Sequence, residues 1–231
     1  MAFAKSTRNM LGRRSKAITG VLFAVWLVAL FRPSGPGLRS LSELSARAQA
    51  AYLVNFRWGS LVSGSLAYEV VEQGRDIVVF ADYGCRFCSQ AETVIDSLRA
   101  RRPSVRVGYR HVGRSAESKL AAVAAVCAGQ LNAFSLVHRA LYHLGASTSD
   151  SSFRDQLTAY VASRMSPSML SALERCVDDP DQGVRERLRR DSVLAARVRL
   201  RVTPTFFGKN GTIIGVPKLE ALEAVVGLHR R

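Results

Sequence analysis

The sequence predicts a mixed α/β fold, in which a small sheet has a block of helices inserted between its strands. Three observations predict it: a strand–helix–strand segment over residues 77–110, a long helical stretch over about 115–200, and a β-hairpin near the C-terminal end. The chain has 231 residues, enough for one packed domain with appendages. A hydrophobic fraction of 48% and a charged fraction of 22% are ordinary for a globular protein, so a disordered chain is not expected.

The strand–helix–strand segment places an amphipathic helix between two strands. Its first strand, Ile77–Phe80, is a continuous apolar run, as expected for a strand that is buried on both faces. The turn Asp82–Gly84 leads into a helix whose apolar residues recur at helical spacing, at Phe87, Ala91, Val94, Ile95 and Leu98. Alternating apolar and polar residues over 105–110 predict the second strand. We expect these two strands to be parallel, with a right-handed crossover.

The remaining elements lie on both sides of this segment. Alternation over residues 66–70 predicts a first short strand, and the helical block over 115–200 has breaks near 145–152, 166–167 and 180–183. The sequence Lys209-Asn210-Gly211 predicts a tight hairpin, because Asn-Gly readily adopts positive φ angles. Pro217 is expected in the first turn of a final helix with an apolar face at Leu219, Leu222 and Val226.

The net charge of +15 is unusual for a chain of this composition. Residues 1–16 carry five cations and no acid, which leaves +10 for the rest of the chain. Those remaining cations are nearly all Arg and are scattered over helices, whereas a nucleic-acid-binding protein is expected to gather them on one face. We interpret them as solvated helix faces, with attraction to an anionic membrane as the alternative, and expect no nucleic-acid partner.

The N-terminus carries the pattern of an export signal. A basic tail, residues 1–16, precedes the uncharged apolar segment Ala17–Phe31, and the positive-inside rule places everything after it outside the cytoplasm. The segment is shorter than the 20 or so residues of a typical spanning helix. No small-x-small cleavage site directly follows it, and Pro33 and Pro36 disfavour cleavage. We therefore favour an uncleaved signal anchor over a cleaved signal peptide.

These observations divide the chain into four parts. They are a basic cytoplasmic tail (1–16), a transmembrane signal anchor or signal peptide (17–31), a linker or stalk (32–65) and a folded domain (66–229) with its helical insertion at about 115–200. Within the linker, residues 41–56 have a loose helical pattern, and 57–65 are rich in Gly and Ser and predict a second break. The domain would lie on the periplasmic or extracytoplasmic side of the cell membrane, attached by a single pass.

Four cysteines are present, and Cys85 and Cys88 form a C-x-x-C pair. Such a pair supplies either half of a zinc site or a redox dithiol. No second close pair of cysteines or histidines completes a set of zinc ligands, so no metal is expected. The pair follows a buried strand and opens a helix, whose N-terminus stabilises a thiolate and lowers the pKa of the first thiol. We interpret Cys85 as the nucleophile and Cys88, one turn further on, as the more buried resolving thiol.

Several segments, taken in order, resemble one family. Phe80–Cys88 is similar to the active-site segment of DsbA-like thioredoxin-fold proteins. Residues 125–134 and 173–177 resemble helices of that family's insertion, and residues 202–215 resemble the segment that holds its cis-proline. The resemblance covers about residues 66–227. It implies a thioredoxin fold with an inserted helical subdomain, and thiol–disulfide exchange that requires no cofactor.

The resemblance also implies how the site is completed. The Thr203–Pro204 bond would be cis and lie beside the Cys pair. The backbone next to this bond would pair with the substrate peptide. The alternative is an ordinary trans proline in an edge strand. Arg86 stands where proline is frequent in the family, and Phe87 stands where His, Tyr or Phe occurs. A cation at Arg86 would stabilise the thiolate and make the pair more oxidising. The alternative is a solvated cation with no effect on the pair.

Cys127 and Cys176 resemble a pair of positions that form a disulfide between insertion helices in some family members. In an oxidising compartment such a bond would close a loop of about 50 residues and stabilise the fold by a few kcal/mol. The alternative is two separate buried cysteines that act as small hydrophobic side chains.

The sequence therefore predicts an exported, membrane-tethered thiol–disulfide oxidoreductase. The leading hypothesis is a DsbA-type oxidase that accepts electrons from substrate thiols through a mixed disulfide at Cys85. Its expected partners are substrate proteins with cysteine thiols and a membrane redox partner that reoxidises the Cys pair. A reductase or isomerase would use the same site with the opposite electron flow, and a non-catalytic binding module would keep only the fold.

Overall fold

The computed structural model describes residues 58–63, 65–67, 76–145 and 150–227. The predicted basic tail, signal anchor and stalk helix lie outside these residues. Over the described ranges, no helix has both the length and the apolar character needed to cross a membrane.

A five-stranded sheet forms the centre of the domain, in the order β1-β3-β2-β4-β5. The parallel pairing of β2 with β3 confirms the prediction for the strand–helix–strand segment, while the other neighbouring strands are antiparallel. The strands are β1 (Leu66–Ala67), β2 (Ile77–Ala81), β3 (Val107–His111), β4 (Thr205–Gly208) and β5 (Gly211–Ile214).

Eight helices are described, and five of them form an insertion between β3 and β4. Helix α2 connects β2 to β3, and α8 follows the hairpin. The helices are α1 (Trp58–Val62), α2 (Arg86–Arg101), α3 (Ala116–Gln130), α4 (Phe134–Leu144), α5 (Asp150–Ala162), α6 (Pro167–Asp178), α7 (Gln182–Arg197) and α8 (Leu219–Val226).

The breaks in the helical block coincide with capping residues. The Ser115 side chain accepts a hydrogen bond from the Ser118 backbone at the start of α3. Ser166 caps α6, which begins with Pro167, and Asp181 caps α7. These side chains satisfy backbone N–H groups that have no partner within the helix, so local sequence chemistry sets where the insertion helices begin.

The sheet is buried on both faces by apolar side chains. Val79, Tyr109 and Phe206 belong to a large cluster that includes residues of α2 and of the insertion. Val78, Phe80 and Phe207 belong to a smaller cluster with α1 and the end of α7. Adjacent strand residues therefore point into different clusters, as the period of two along a strand requires.

The segment 57–65, predicted as a break in the linker, contains α1 instead. Leu61 of this helix is completely buried in the smaller cluster. Arg110 of β3 donates hydrogen bonds to the carbonyl oxygens of Ser60, Leu61 and Ser63 at the end of α1. Because these contacts are tertiary, the Gly- and Ser-rich composition does not reveal them, and the packed domain extends at least to Trp58.

Two details near the C-terminal end differ from the prediction. Strands β4 and β5 pair in the expected hairpin, but the positive φ is at Gly211 alone and not at Asn210. Helix α8 begins at Leu219 with Lys218 as its N-cap, so Pro217 precedes the helix and does not lie in its first turn. The apolar face is present, with Leu222 and Val225 buried.

Candidate active site

The Cys pair lies where β2 turns into α2. Asp82 organises this turn, because its carbonyl oxygen accepts from the Cys85 N–H at 3.0 Å and its carboxylate accepts from the Gly84 N–H at 2.8 Å. Cys85 is the N-cap of α2, and Cys88 lies one turn into the helix. The strand, turn and helix thus bring both thiols to one helix N-terminus, as the sequence predicts.

Cys85 is partly exposed and Cys88 is buried, and both are free thiols. Partial burial acts to raise the pKa of Cys85, but hydrogen bonds from the Thr203 side chain and from the backbone of Cys88 and Phe87 outweigh it. The pKa of Cys85 therefore lies below its usual value. Since the thiolate is the nucleophile in disulfide exchange, this environment favours reaction at Cys85.

Cys88 has the opposite environment. Burial, reinforced by the nearby Cys85, raises the pKa of its thiol to about 12, although the Asp82 N–H donates to its sulfur at 3.4 Å. A thiol in this state is protonated at neutral pH and does not react with external disulfides. The two thiols are therefore electrostatically different although they are only one turn apart.

The Thr203–Pro204 peptide bond is cis and lies beside Cys85. The Cys85 thiol donates to the Thr203 carbonyl oxygen at 3.4 Å, across a sequence separation of 118 residues. On the other side, the Gly215 N–H donates to the Pro204 carbonyl oxygen at 2.8 Å. The structure thus brings together two of the segments that carry the resemblance, 80–88 and 202–215.

Arg86 and Phe87 form an exposed pair next to Cys85. The guanidinium carbon of Arg86 lies 4.7 Å from the centre of the Phe87 ring, and Phe87 is 45% exposed. The sequence predicts Phe87 on the apolar face of α2, but Cys88 takes the inward position and begins the buried row that continues through Ala91 and Ile95. The contributions that lower the pKa of Cys85 come from hydrogen bonds, and Arg86 is not among them.

A cleft of about 350 Å³ opens beside Cys85, and we call it the Cys85 cleft. The Asp82 carboxylate links two sides of this cleft. Besides the Gly84 N–H, it accepts a hydrogen bond from the Arg114 N–H at 3.2 Å. Sequence reasoning identified neither Asp82 nor Arg114 as part of the site. The cleft is lined by Asp82, Gly84, Cys85, Phe87, Arg114, Ser115, Ser118, Val202 and Thr203.

No family model and no curated protein matches the chain, but solved structures match its fold. The Wolbachia pipientis thiol-disulfide exchange protein alpha-DsbA2 has a TM-score of 0.64 at 15% identity, over 79% of this chain and 96% of that one. The catalytic domain of Proteus mirabilis ScsC has a TM-score of 0.61 at 16% identity, over 77% of this chain and 96% of that one.

A thioredoxin-like oxidoreductase from Silicibacter pomeroyi has a TM-score of 0.57 at 22% identity, over 72% of this chain and 94% of that one. The chain has the DsbA-like thioredoxin fold. At these identities the likeness establishes the fold, so any statement about chemistry has to rest on the residues of the site itself.

Behind the Cys pair, a buried polar network connects the DsbA-like insertion to the sheet. The Tyr83 hydroxyl lies 2.9 Å from His111 Nε2 and 2.7 Å from His138 Nδ1. Glu92 accepts from the Tyr109 hydroxyl at 3.0 Å and lies 3.3 Å from His138 Nε2. Burial, with smaller electrostatic contributions from His138, Arg187 and Arg110, lowers the pKa of His111 to about 3, so His111 is neutral.

The residues of this network lie on separate elements, so no spacing in the sequence brings them together. Among the described residues, no group of three or more His, Cys, Asp or Glu side chains is arranged to hold a metal ion.

In the insertion, a disulfide joins Cys127 of α3 to Cys176 of α6, with 5.9 Å between their Cα atoms.

Proposed function

We propose that this protein is an exported thiol–disulfide oxidoreductase that oxidises pairs of thiols in substrate proteins, as a DsbA-type dithiol oxidase. One observation carries the proposal. A partly exposed Cys85 with a lowered pKa lies at a helix N-terminus against the cis Thr203–Pro204 bond, and a buried Cys88 lies one turn away. The DsbA-like thioredoxin fold supports the same reading.

The reaction begins with the oxidised protein, in which Cys85 and Cys88 form a disulfide. A substrate thiolate attacks the Cys85 sulfur, a mixed disulfide forms, and Cys88 leaves as a thiolate that takes up a proton. The second substrate thiolate then attacks the substrate sulfur of the mixed disulfide and releases the Cys85 thiolate. The substrate loses two electrons and two thiol protons; one proton goes to Cys88 and the other to Cys85 or, where Cys85 stays a thiolate, to solvent, and the protein ends in its reduced form.

The environment of Cys85 supports the oxidase direction. Hydrogen bonds that stabilise its thiolate stabilise the reduced protein, which makes the disulfide form a stronger oxidant. Reoxidation requires an external electron acceptor, and we propose a membrane redox partner for this step. The apolar segment Ala17–Phe31, which lies outside the described residues, would tether the protein to the same membrane.

Replacing each cysteine of the pair tests the proposal with the full chain. Oxidised parent protein should convert a reduced two-cysteine peptide to its disulfide, and Cys85→Ser should lose this activity almost completely. Cys88→Ala should form a mixed disulfide through Cys85 with an excess of a one-cysteine peptide supplied as its symmetric disulfide, and retain it, because neither Cys88 nor a second thiol in the bound peptide can resolve it. Peptide products and trapped species are measured by mass spectrometry after acid quenching.

The control for these variants is Ser97→Ala, at an exposed position further along α2, and it should behave as the parent. Oxidation of the peptide by Cys85→Ser at the rate of the parent would refute the assignment of Cys85. An oxidised parent that leaves the peptide thiols unchanged would refute the oxidoreductase proposal itself.

A further inference from the structure

We propose that the Cys85 site reacts preferentially with cysteines that have acidic neighbours in the substrate chain. The proposal rests on the function proposed above and specifies its substrate class. Two arginines lie near this site: Arg86 directly follows Cys85 as the first residue of α2, and Arg114 lines the Cys85 cleft. Each brings a positive charge to this side of the domain, and Asp82 is the acidic residue in the lining of the cleft.

Arg86 is held in place without a carboxylate. Its guanidinium lies over the Phe87 ring at 4.7 Å, and both side chains are exposed. A guanidinium stacked on an aromatic ring keeps its outer N–H groups available to an anion in solvent. Because Arg86 directly follows Cys85, a substrate residue adjacent to the attacking cysteine comes within reach of this charge.

Arg114 lines the cleft, and its guanidinium is bound by a backbone carbonyl group and not by a carboxylate. Its side chain donates to the Arg201 carbonyl oxygen at 2.7 Å, and its backbone N–H donates to the Asp82 carboxylate. Arg201 precedes the Thr203–Pro204 bond by only two residues. Arg114 therefore joins the start of α3 to the segment that faces Cys85, and its positive charge remains uncompensated at this contact.

Several other arginines meet a carboxylate in the described part of the chain, whereas neither Arg86 nor Arg114 forms an ion pair there. Neither guanidinium is therefore engaged with a carboxylate of the described residues, and both remain able to meet an acidic group of a substrate. Examples of the paired arginines and their partners are Arg106 with Asp76, Arg110 with Asp191 and Arg189 with Glu186.

The acidic groups near the cleft are already engaged. Both oxygens of the buried Asp82 carboxylate accept backbone N–H groups, from Gly84 and from Arg114. Glu117 lies in the first turn of α3, where its carboxylate has backbone and Ser115 hydrogen bonds that lower its pKa. An incoming carboxylate therefore meets Arg86, Arg114 and the positive end of the α3 dipole.

Two reduced peptides, each with two cysteines, test the proposal. They are identical except that the first cysteine is flanked by Glu in one peptide and by Lys in the other. Each oxidation rate with the full-length oxidised protein is divided by the same peptide's rate with the uncharged disulfide of 2-mercaptoethanol. This division removes the effect of the flanking charge on the peptide thiol itself. At low salt the parent should favour the Glu peptide by about tenfold, and 0.5 M NaCl should reduce the preference.

Double variants of Arg86 and Arg114 test whether the substrate preference depends on their positive charge. Arg86→Gln with Arg114→Gln should bring the ratio of the two peptides close to one, while Arg86→Lys with Arg114→Lys should retain most of the preference. A matched control, Arg164→Gln with Arg175→Gln, removes two charges from residues of the insertion that do not line the cleft, and it should leave the ratio unchanged.

Three results would overturn the proposal. They are a parent ratio within twofold of one, a preference for the Lys peptide, or a preference that persists in the Gln double variant. In each case the peptides are still oxidised, so the oxidase function stands. If the parent oxidises neither peptide, the proposed function fails and the substrate preference fails with it.

Discussion

At the scale of single residues, Thr203 has two contacts with Cys85. Its carbonyl oxygen accepts from the Cys85 thiol at 3.4 Å, while a hydrogen bond from its side chain is the largest of the contributions that lower the pKa of Cys85. The carbonyl contact favours the protonated thiol, and the hydroxyl contact favours the thiolate. These contacts act together with burial, which raises the pKa of Cys85, and with hydrogen bonds from Cys88 and Phe87, which lower it.

Thr203→Val should raise the pKa of Cys85 towards its usual value, because a methyl group replaces the hydroxyl donor. Alkylation of the reduced protein by iodoacetamide, followed against pH, measures this directly. The rate falls as pH decreases through the pKa of Cys85, and the midpoint of the variant should lie at higher pH. At pH 7 the variant should react several-fold more slowly than the parent.

Cys88 does not interfere with this measurement, since its pKa is raised to about 12. The matched control is Thr212→Val, which makes the same chemical change at an exposed position of β5. An unchanged midpoint in Thr203→Val would show that the backbone hydrogen bonds of α2 set the pKa of Cys85 without help from Thr203.

At the scale of elements, the polar network around Tyr83 joins the insertion to the sheet directly behind the Cys pair. Tyr83 lies in the turn before α2, His111 ends β3 and His138 belongs to α4. A single hydroxyl therefore connects three elements. Removing it leaves two buried histidines without this partner, and an unsatisfied buried polar group costs about 1–3 kcal/mol.

Tyr83→Phe should lower the free energy of unfolding by about 1–3 kcal/mol. Urea unfolding of the oxidised protein, followed by circular dichroism, measures the loss. Tyr160→Phe serves as the control, because the Tyr160 ring packs against Arg164 at a partly exposed position, and it should change stability by less than about 0.5 kcal/mol. Equal stability of the Tyr83 variant and the parent would show that water replaces the hydroxyl without loss.

Helices and strands with local signals could be predicted, and those held by distant partners could not. The apolar run at Ile77–Phe80 and the caps at Ser166 and Asp181 act within a few residues, and the structure contains each of them. Helix α1 has no such signal. A five-residue helix is not stable alone, and it forms here because Arg110 and the sheet bind it.

The same distinction applies to the site. Cys85 and Cys88 belong to one motif, and the family resemblance over residues 202–215 implied a cis Thr203–Pro204 bond beside them. Asp82 and Arg114 enter the cleft because the turn after β2 meets the connection after β3, and no spacing in the sequence shows this. Their contact across 32 residues emerges only when the parallel strands are aligned.

At the scale of the whole molecule, the direction of electron flow depends on the reduction potential of the Cys pair. The lowered pKa of Cys85 stabilises the reduced form, so we expect a potential closer to the value of about −120 mV known for DsbA than to about −270 mV for thioredoxin. Equilibration of the full chain with glutathione buffers, followed by alkylation and mass spectrometry, gives this potential.

The Cys127–Cys176 disulfide provides an internal control in this titration. Structural disulfides in secreted proteins have potentials below about −300 mV, so this bond should remain oxidised while the Cys85–Cys88 pair is reduced. A potential near that of thioredoxin would contradict the oxidase assignment and favour a reductase that uses the same residues.

The hydrogen bonds from Arg110 to the end of α1 affect how the domain responds to a pulling force on the chain. Arg110 of β3 donates hydrogen bonds to the carbonyl end of this helix. The Arg110 guanidinium also donates to the Asp191 carboxylate of α7 at 2.6 Å. The next element along the chain is β1, a two-residue strand at the edge of the sheet. Without the contacts between Arg110 and α1, a pulling force on the chain before Trp58 would act on this short strand first. Because α1 is bound to Arg110 of the inner strand β3, we expect such a force to reach β3 and α7 through these buried hydrogen bonds as well as β1.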